Sequence, residues 1–224
     1  MCDHANIVKI LEAYEWKEEF WLVLEFLEGG TLTEARRGHD FEEKEIAYVA
    51  RELLKGLAYL HSINLVHRDV KSENIMMSIM GDIKLIDFGL CSDVSLIRPS
   101  MVGSPYWMPP EMLQRNPHSF PCDIWSFGIS ILELANKNPP NAQNKIKVMF
   151  TTATQGCPHP FDEPERWSDK FKDFTSRCLV KDPAKRATAQ ELLKHPFLEQ
   201  AADTRKVMQK ILSEIFLQKA IGLM

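Results

Sequence analysis

Val66-His67-Arg68-Asp69-Val70-Lys71-Ser72-Glu73-Asn74 lies between two periodic stretches of opposite kind. Before it, Ile46, Val49, Ala50, Leu53, Leu54, Leu57 and Leu60 recur at helical spacing. That predicts a long amphipathic helix over 41–61 with one buried stripe. After it come two short strand-like pieces, 74–77 and 83–86, around a turn at Met80-Gly81-Asp82. Asp87-Phe88-Gly89 follows at once. Loops held between rigid elements are where chemistry concentrates. Here they offer the carboxylates of Asp69 and Asp87, the ammonium of Lys71 and the amide of Asn74. Such a set suits phosphoryl transfer, in which a protein mainly positions groups and neutralises charge.

Toward the N-terminus, residues 7–14 and 20–26 are rich in β-branched and aromatic types, with a polar stretch, 15–19, between them. They read as two strands of a hairpin. Glu28-Gly29-Gly30-Thr31 then breaks the strand. Toward the C-terminus, residues 92–110 carry Ser, Pro and Gly with little periodicity, which predicts a long functional loop. Helical patterns follow over 123–135, 145–153, 168–179 and 189–193, separated by Pro139-Pro140, by residues 158–164 and by Pro183. A last helix over 203–220 repeats Val207, Met208, Ile211, Leu212, Ile215 and Phe216. A few strands followed by many helices predict an α+β fold with segregated layers. The chain divides into 1–30, 31–199 and 200–224, with no internal repeat.

Bulk properties narrow the function classes. The 224 residues, 45% hydrophobic and 26% charged, are ordinary for a folded domain with a sizeable core. A net charge of −4 gives no field favouring nucleic acid and no polybasic membrane patch. No apolar run reaches the ~18 residues of a membrane span. The five cysteines are widely spaced without a Cys-x-x-Cys pair, so a zinc ribbon or disulfide framework is a poor reading. A reducing, cytoplasmic setting is expected. The start, Met1-Cys2-Asp3-His4, has no signal-peptide pattern and reads as the middle of a domain.

His67-Arg68-Asp69 with Asn74 five positions after Asp69, then Asp87-Phe88-Gly89, resembles the catalytic and magnesium loops of the eukaryotic protein kinases. The resemblance runs from Ile7 to about Leu198, with motifs in the family's order. Each triplet alone is weak evidence, whereas the ordered combination is strong. Lys71 resembles the serine/threonine type. Met101-Val102-Gly103-Ser104-Pro105-Tyr106-Trp107-Met108 resembles the sterile-twenty group, and within it the p21-activated (PAK-like) kinases. The implied fold is protein-kinase-like: mostly the helical C-lobe, with a remnant N-lobe hairpin and a hinge.

The resemblance implies roles residue by residue. Asp69 accepts or orients the substrate hydroxyl proton, and Lys71 places its charge on the transferring phosphate. Asn74 and Asp87 hold Mg²⁺, and Ser104 bridges Asp69 and Lys71. Val23-Leu24-Glu25-Phe26-Leu27 is the hinge, where the backbone of Glu25 and Leu27 bonds the adenine of ATP, with Met76 as the apolar floor. Phosphorylated Ser100 would pair with Arg68 and order the loop. His67 packs beneath Phe88, Asp123 holds the catalytic loop through backbone hydrogen bonds, and Glu111 pairs with Arg186. Glu73 lies by the peptide groove and favours a basic residue before the acceptor. Implied partners are proteins with target Ser or Thr, an upstream activating kinase, and a small GTPase acting through regions not in this chain.

Three family features cannot be placed: a Gly-rich loop, a strand lysine and its helix glutamate. Asp3-His4-Ala5-Asn6-Ile7-Val8 resembles the loop after the missing helix. The chain is therefore expected to be N-terminally truncated, with an exposed apolar hairpin, poor folding at its start and little kinase activity from residues 1–224 alone. The alternative is a non-catalytic, pseudokinase-like scaffold or binding module.

Overall fold

The computed structural model describes residues 3–142, 144–201 and 205–220. Two strands open the chain, β1 (Ile10–Trp16) and β2 (Glu19–Leu24), followed by helices α1 (Leu32–Gly38) and α2 (Glu43–Ser62). Short strands β3 (Leu65–Val66), β4 (Ile75–Met77), β5 (Ile83–Leu85) and β6 (Ser92–Asp93) come next. Helices α3 (Pro110–Leu113), α4 (Pro121–Asn136), α5 (Lys145–Gln155), α6 (Asp169–Cys178), α7 (Ala189–Leu192) and α8 (Arg205–Ala220) complete the order. The strands pair as three antiparallel two-stranded ladders, β1–β2, β3–β6 and β4–β5.

The apolar stripe predicted over 41–61 becomes α2, and all seven of its residues are buried. Burying each large side chain contributes roughly 1.5–3 kcal/mol, far more than helix propensity does. Glu42 and Glu45 close a capping box at its start. α4 packs across α2 and α6 and is apolar on nearly every side, with Ile124, Trp125, Phe127, Ile131 and Leu132 buried. A helix apolar all round belongs at the centre of a domain. Pro121 starts it without losing a hydrogen bond, and Lys137 (φ 61°) ends it in the left-handed region.

The hairpin differs from its expected boundaries. Glu15 and Glu19 lie inside the strands, opposite Phe20 and Trp16, and the turn is Lys17-Glu18 alone (φ 48° and 67°). Two left-handed central residues make the tight turn whose twist suits a hairpin. The polar stretch misleads because Leu11, Tyr14, Trp16, Phe20, Trp21 and Leu22 are all exposed. With neither face buried, alternation carries no boundary. That exposed apolar surface matches the expectation from sequence.

Two helices have no counterpart in the sequence pattern. α1 begins at a capping box of Thr31 and Glu34, just where the glycines suggest only a break. α3 is a single turn started by Pro110. The loop over 92–110 also holds structure: β6 pairs with β3, and a 3-10 turn covers Val94–Leu96. The helix expected over 203–220 is α8; Asp203 and the side chain of Phe216 lie outside the described residues. Its Met208 and Leu212 are buried in the main core beside α1 and α2.

Candidate active site

The catalytic loop connects β3 to β4 and is suspended from α4. Asp123, fully buried, accepts the backbone N–H of His67 (2.9 Å) and of Arg68 (2.8 Å) and bonds His61 Nε2 (3.0 Å). Burial alone would raise its pKa. The His61 hydrogen bond and the Arg68 amide help outweigh burial and hold it below the ordinary aspartate value. The role expected of Asp123 is thus visible as geometry. His67 donates Nε2–H to Ile86 O (3.0 Å) and accepts the Asp69 N–H at Nδ1 (3.3 Å), a pattern only the neutral ring satisfies. Burial lowers its pKa, and Phe88 packs edge-on at 5.1 Å.

Arg68 sits at φ 68°, a costly conformation for a side-chain-bearing residue. Gly103 (φ 98°) crosses directly over it, and a Cβ there would lie 2.5 Å from Arg68 O. Glycine is therefore required where the long loop passes the catalytic loop.

Four residues singled out from sequence form one network. Asp69 Oδ2 receives Lys71 Nζ at 3.2 Å and Asn74 Nδ2 at 3.0 Å. Asn74 Nδ2 also donates to Asp69 O (2.9 Å). Lys71 Nζ donates to Ser104 Oγ at 2.8 Å. Lys71, rather than Ser104, is thus the bridging group between the two loops. Asp69 Oδ1 is buried without a hydrogen-bond partner among the described residues. An orphaned carboxylate oxygen costs free energy unless something supplies a donor. Glu73 is exposed, 3.5 Å from Lys71 Nζ.

Asp87 arrives by strand pairing. Ile75 faces Leu85 across the β4–β5 ladder, and Ile86 N donates to Asn74 O at 2.9 Å. Asp87 follows directly, at φ 59° with its side chain exposed and Oδ1 accepting Gly89 N (3.2 Å). Asn74 donates its amide nitrogen to Asp69 twice, so its side-chain oxygen remains the free acceptor. One carboxylate and one amide oxygen are hard donors of the kind Mg²⁺ takes, with water and phosphate completing its shell. No cluster of three or more His, Cys, Asp or Glu suited to a metal occurs among the described residues.

The residues expected on the nucleotide side are more dispersed. Glu25 N donates to Lys9 O (3.0 Å), and its carboxylate accepts Lys84 Nζ (2.7 Å) and Lys9 N (2.7 Å). Leu27 is buried. Met76 alternates out of the core, while Ile75 and Met77 point into it. Ser100 and Arg68 are not bonded to each other: Arg68 Nε donates to Leu90 O (2.6 Å). Glu111 and Arg186 do pair, bidentately at 2.7 and 3.0 Å, with the guanidinium over Trp125.

One cluster escapes a reading of the sequence. Ser72 Oγ donates to buried Glu133 (2.7 Å), which Arg36 Nε also meets at 2.8 Å, while Thr33 bonds Ser72 at 2.5 Å. This ties the 3-10 turn Ser72–Asn74 to α1 and α4. Burial pushes the Glu133 carboxyl up, and Arg36 opposes it. An acid, Glu133, deep inside the apolar α4 run is the one signal of it in the sequence.

The sequence pattern described as "Protein kinase domain" matches residues 1–198. Among curated relatives, a probable serine/threonine-protein kinase, mkcB of Dictyostelium discoideum, is 57% identical over 222 residues, covering 98% of this chain and 31% of the relative. The serine/threonine-protein kinase shk1/pak1 of Schizosaccharomyces pombe is 41% identical, covering 94% of this chain and 32% of its own length. STE20 of Candida glabrata, a serine/threonine-protein kinase, is 43% identical, covering 89% and 22%. The chain spans about a third or less of the length of these relatives.

Proposed function

Because the chain belongs to the protein kinase domain family, we propose that it transfers the γ-phosphate of ATP to serine or threonine hydroxyls of proteins. The observation that carries this reading is the split state of Asp69. One oxygen is held by Lys71 and Asn74, and the other is buried and bare. Once uncovered by the Gly103 loop, that bare oxygen takes the proton of the substrate hydroxyl as the hydroxyl oxygen bonds the γ-phosphorus and the bond to the β-phosphate oxygen breaks. Lys71, fixed by Ser104, keeps positive charge beside the transferring group. Asn74 and Asp87 are the residues that would hold magnesium, which supplies charge neutralisation for the phosphates when bound. Glu25 and Leu27 bind the adenine edge through their backbone, over Met76.

The test is a ratio of rates. Asp69→Asn is expected to lower phosphate transfer to a serine peptide by about a thousandfold relative to the parent, the middle of the range for a positioned base. The ratio is informative even where the parent is slow. Equal rates in the two proteins would favour a non-catalytic scaffold.

Regulation and recognition extend the reading. Phosphorylation of Ser100 by an upstream kinase adds about −2 charge that Arg68 can pair once it leaves Leu90 O. Ser100→Ala is expected to lower activated transfer about tenfold, on the scale of one charge-assisted contact; an unchanged rate sinks the switch. Exposed Glu73 supports a preference for a basic residue before the acceptor. The likeness to PAK-type relatives supports control by a small GTPase that binds outside the kinase domain. Free thiols at Cys122, Cys157 and Cys178 fit a reducing cytoplasm. No described helix is long and apolar enough to cross a membrane.

A further inference from the structure

The two proposed magnesium residues lie at one end of a single short hairpin. Asn74 leads into β4, and Asp87 leaves β5 one residue after Ile86. The ladder between them is three residue pairs, Ile75–Leu85, Met76–Lys84 and Met77–Ile83. At about 3.3 Å per residue its far turn lies only about 10 Å away. So short a ladder moves as one piece: a tilt at the turn is a displacement at Asn74 and Asp87.

That turn is closed internally by Ser78 N→Asp82 O (3.0 Å), Gly81 N→Ser78 O (3.0 Å) and Ser78 Oγ→Asp82 Oδ2 (2.8 Å). From α2, Tyr48 OH donates to Gly81 O at 2.8 Å. From the other side, the first turns of α8 clasp it. Gln209 Nε2 donates to Met80 O (2.8 Å), Arg205 Nε to the same oxygen (3.3 Å), and Arg205 Nη2 to Asp82 Oδ1 (2.6 Å). The fit is close, since a Cβ on Gly81 (φ 83°) would come within 3.3 Å of Arg205 O and Gln209 Cγ. The same helix sinks Met208 and Leu212 into the core that also holds Met77 and Ile83.

We propose that α8 is a positioning element for the magnesium–nucleotide site, acting through Arg205 and Gln209 on the β4–β5 turn. The inference rests on the phosphoryl-transfer reading above for what Asn74 and Asp87 hold. The two kinds of contact on α8 have separable jobs. Met208 and Leu212 bury apolar surface and keep the helix docked. Arg205 and Gln209 are at the solvent-facing edge and set the height of the turn. Their ionic part is exposed, so salt weakens it while leaving the apolar docking intact.

The experiment uses the full chain and the double variant Arg205→Ala/Gln209→Ala, with Lys210→Ala on the same helix as control. Three quantities are read: amide exchange over residues 77–87, the affinity for Mn²⁺ with ATP, and the melting temperature. The double variant is expected to speed exchange in that hairpin about tenfold, a local opening rather than a global one. It should weaken Mn²⁺–ATP binding about threefold to fivefold, near the lower end of the usual coupling between distant sites. The single variant Arg205→Lys, with Gln209 kept, should recover most of the affinity, because one carbonyl bond and the charge opposite Asp82 return. Mn²⁺–ATP affinity that is undiminished in the double variant overturns the positioning role and leaves α8 a cover for the core. Exchange that rises equally throughout the chain, with a lowered melting temperature, overturns it too, since α8 then acts on stability alone. No Mn²⁺–ATP binding by the parent contradicts the functional reading itself.

Discussion

The helical body and the β1–β2 hairpin obey opposite rules within one chain. In the body the polar groups that frame the catalytic loop are tied to named partners: Asp123 holds two loop amides, Glu133 holds Ser72, and Arg186 holds Glu111. Phe127, Phe171, Phe174 and Phe197 pack beneath them in a run of stacked, tilted and edge-on rings with centroids 4.7–6.1 Å apart. In the hairpin the ladder bonds form, yet Trp16, Phe20, Trp21 and Leu22 face solvent. A two-stranded hairpin without a packed face is marginal in water. The difference teaches that the transfer residues are assembled by the body alone. Asp69, Lys71, Asn74 and Ser104 need nothing from β1 or β2 to reach their geometry.

Breaking the body should cost most. Arg186→Ala leaves Glu111 charged and buried without its partner, and a loss of about 3–5 kcal/mol in denaturant unfolding is expected. A loss below about 1 kcal/mol would place this pair in the same class as surface ion pairs. The same region should also respond to acid. His67 is held neutral with a lowered pKa because it is buried. As pH falls through the ordinary imidazole range, the unfolded chain takes up the proton first, so stability declines there. Asp123 has a lowered pKa as well, so its contribution is present above the ordinary carboxylate range and is lost below it. His67→Gln should shrink the first step in a pH series of urea midpoints and leave the second. The hairpin should respond least: Phe20→Thr, at a side chain 78% exposed, is expected to change stability by less than about 0.5 kcal/mol while reducing self-association in light scattering. A loss above about 2 kcal/mol from Phe20→Thr would mean the hairpin is part of the core after all.

Much of this division is legible in sequence, for identifiable reasons. α2 and α4 declare themselves because a buried stripe or a run apolar all round has no other use. The catalytic loop is legible because Asp69, Lys71 and Asn74 fall within six consecutive residues, and the Glu111–Arg186 pair follows from the family resemblance. The hairpin boundaries are not legible, since an unburied strand has no face to alternate against. The Thr33, Arg36, Ser72 and Glu133 cluster draws on separate segments of the chain, and an acid inside the apolar α4 run is its one local mark. The family resemblance makes Ser104 the bridge, and only the coordinates reveal that Lys71 spans the two loops. Gly103 looks like one more loop glycine until its approach to Arg68 O shows what it permits.

Native-state amide exchange of the full chain tests the central claim most directly, that the transfer site is preassembled by the body and independent of the hairpin. The amides of His67 and Arg68, bonded to buried Asp123, should exchange at least about a hundredfold more slowly than the ladder amides of β1 and β2. Catalytic-loop amides that exchange as fast as those of the hairpin would contradict it.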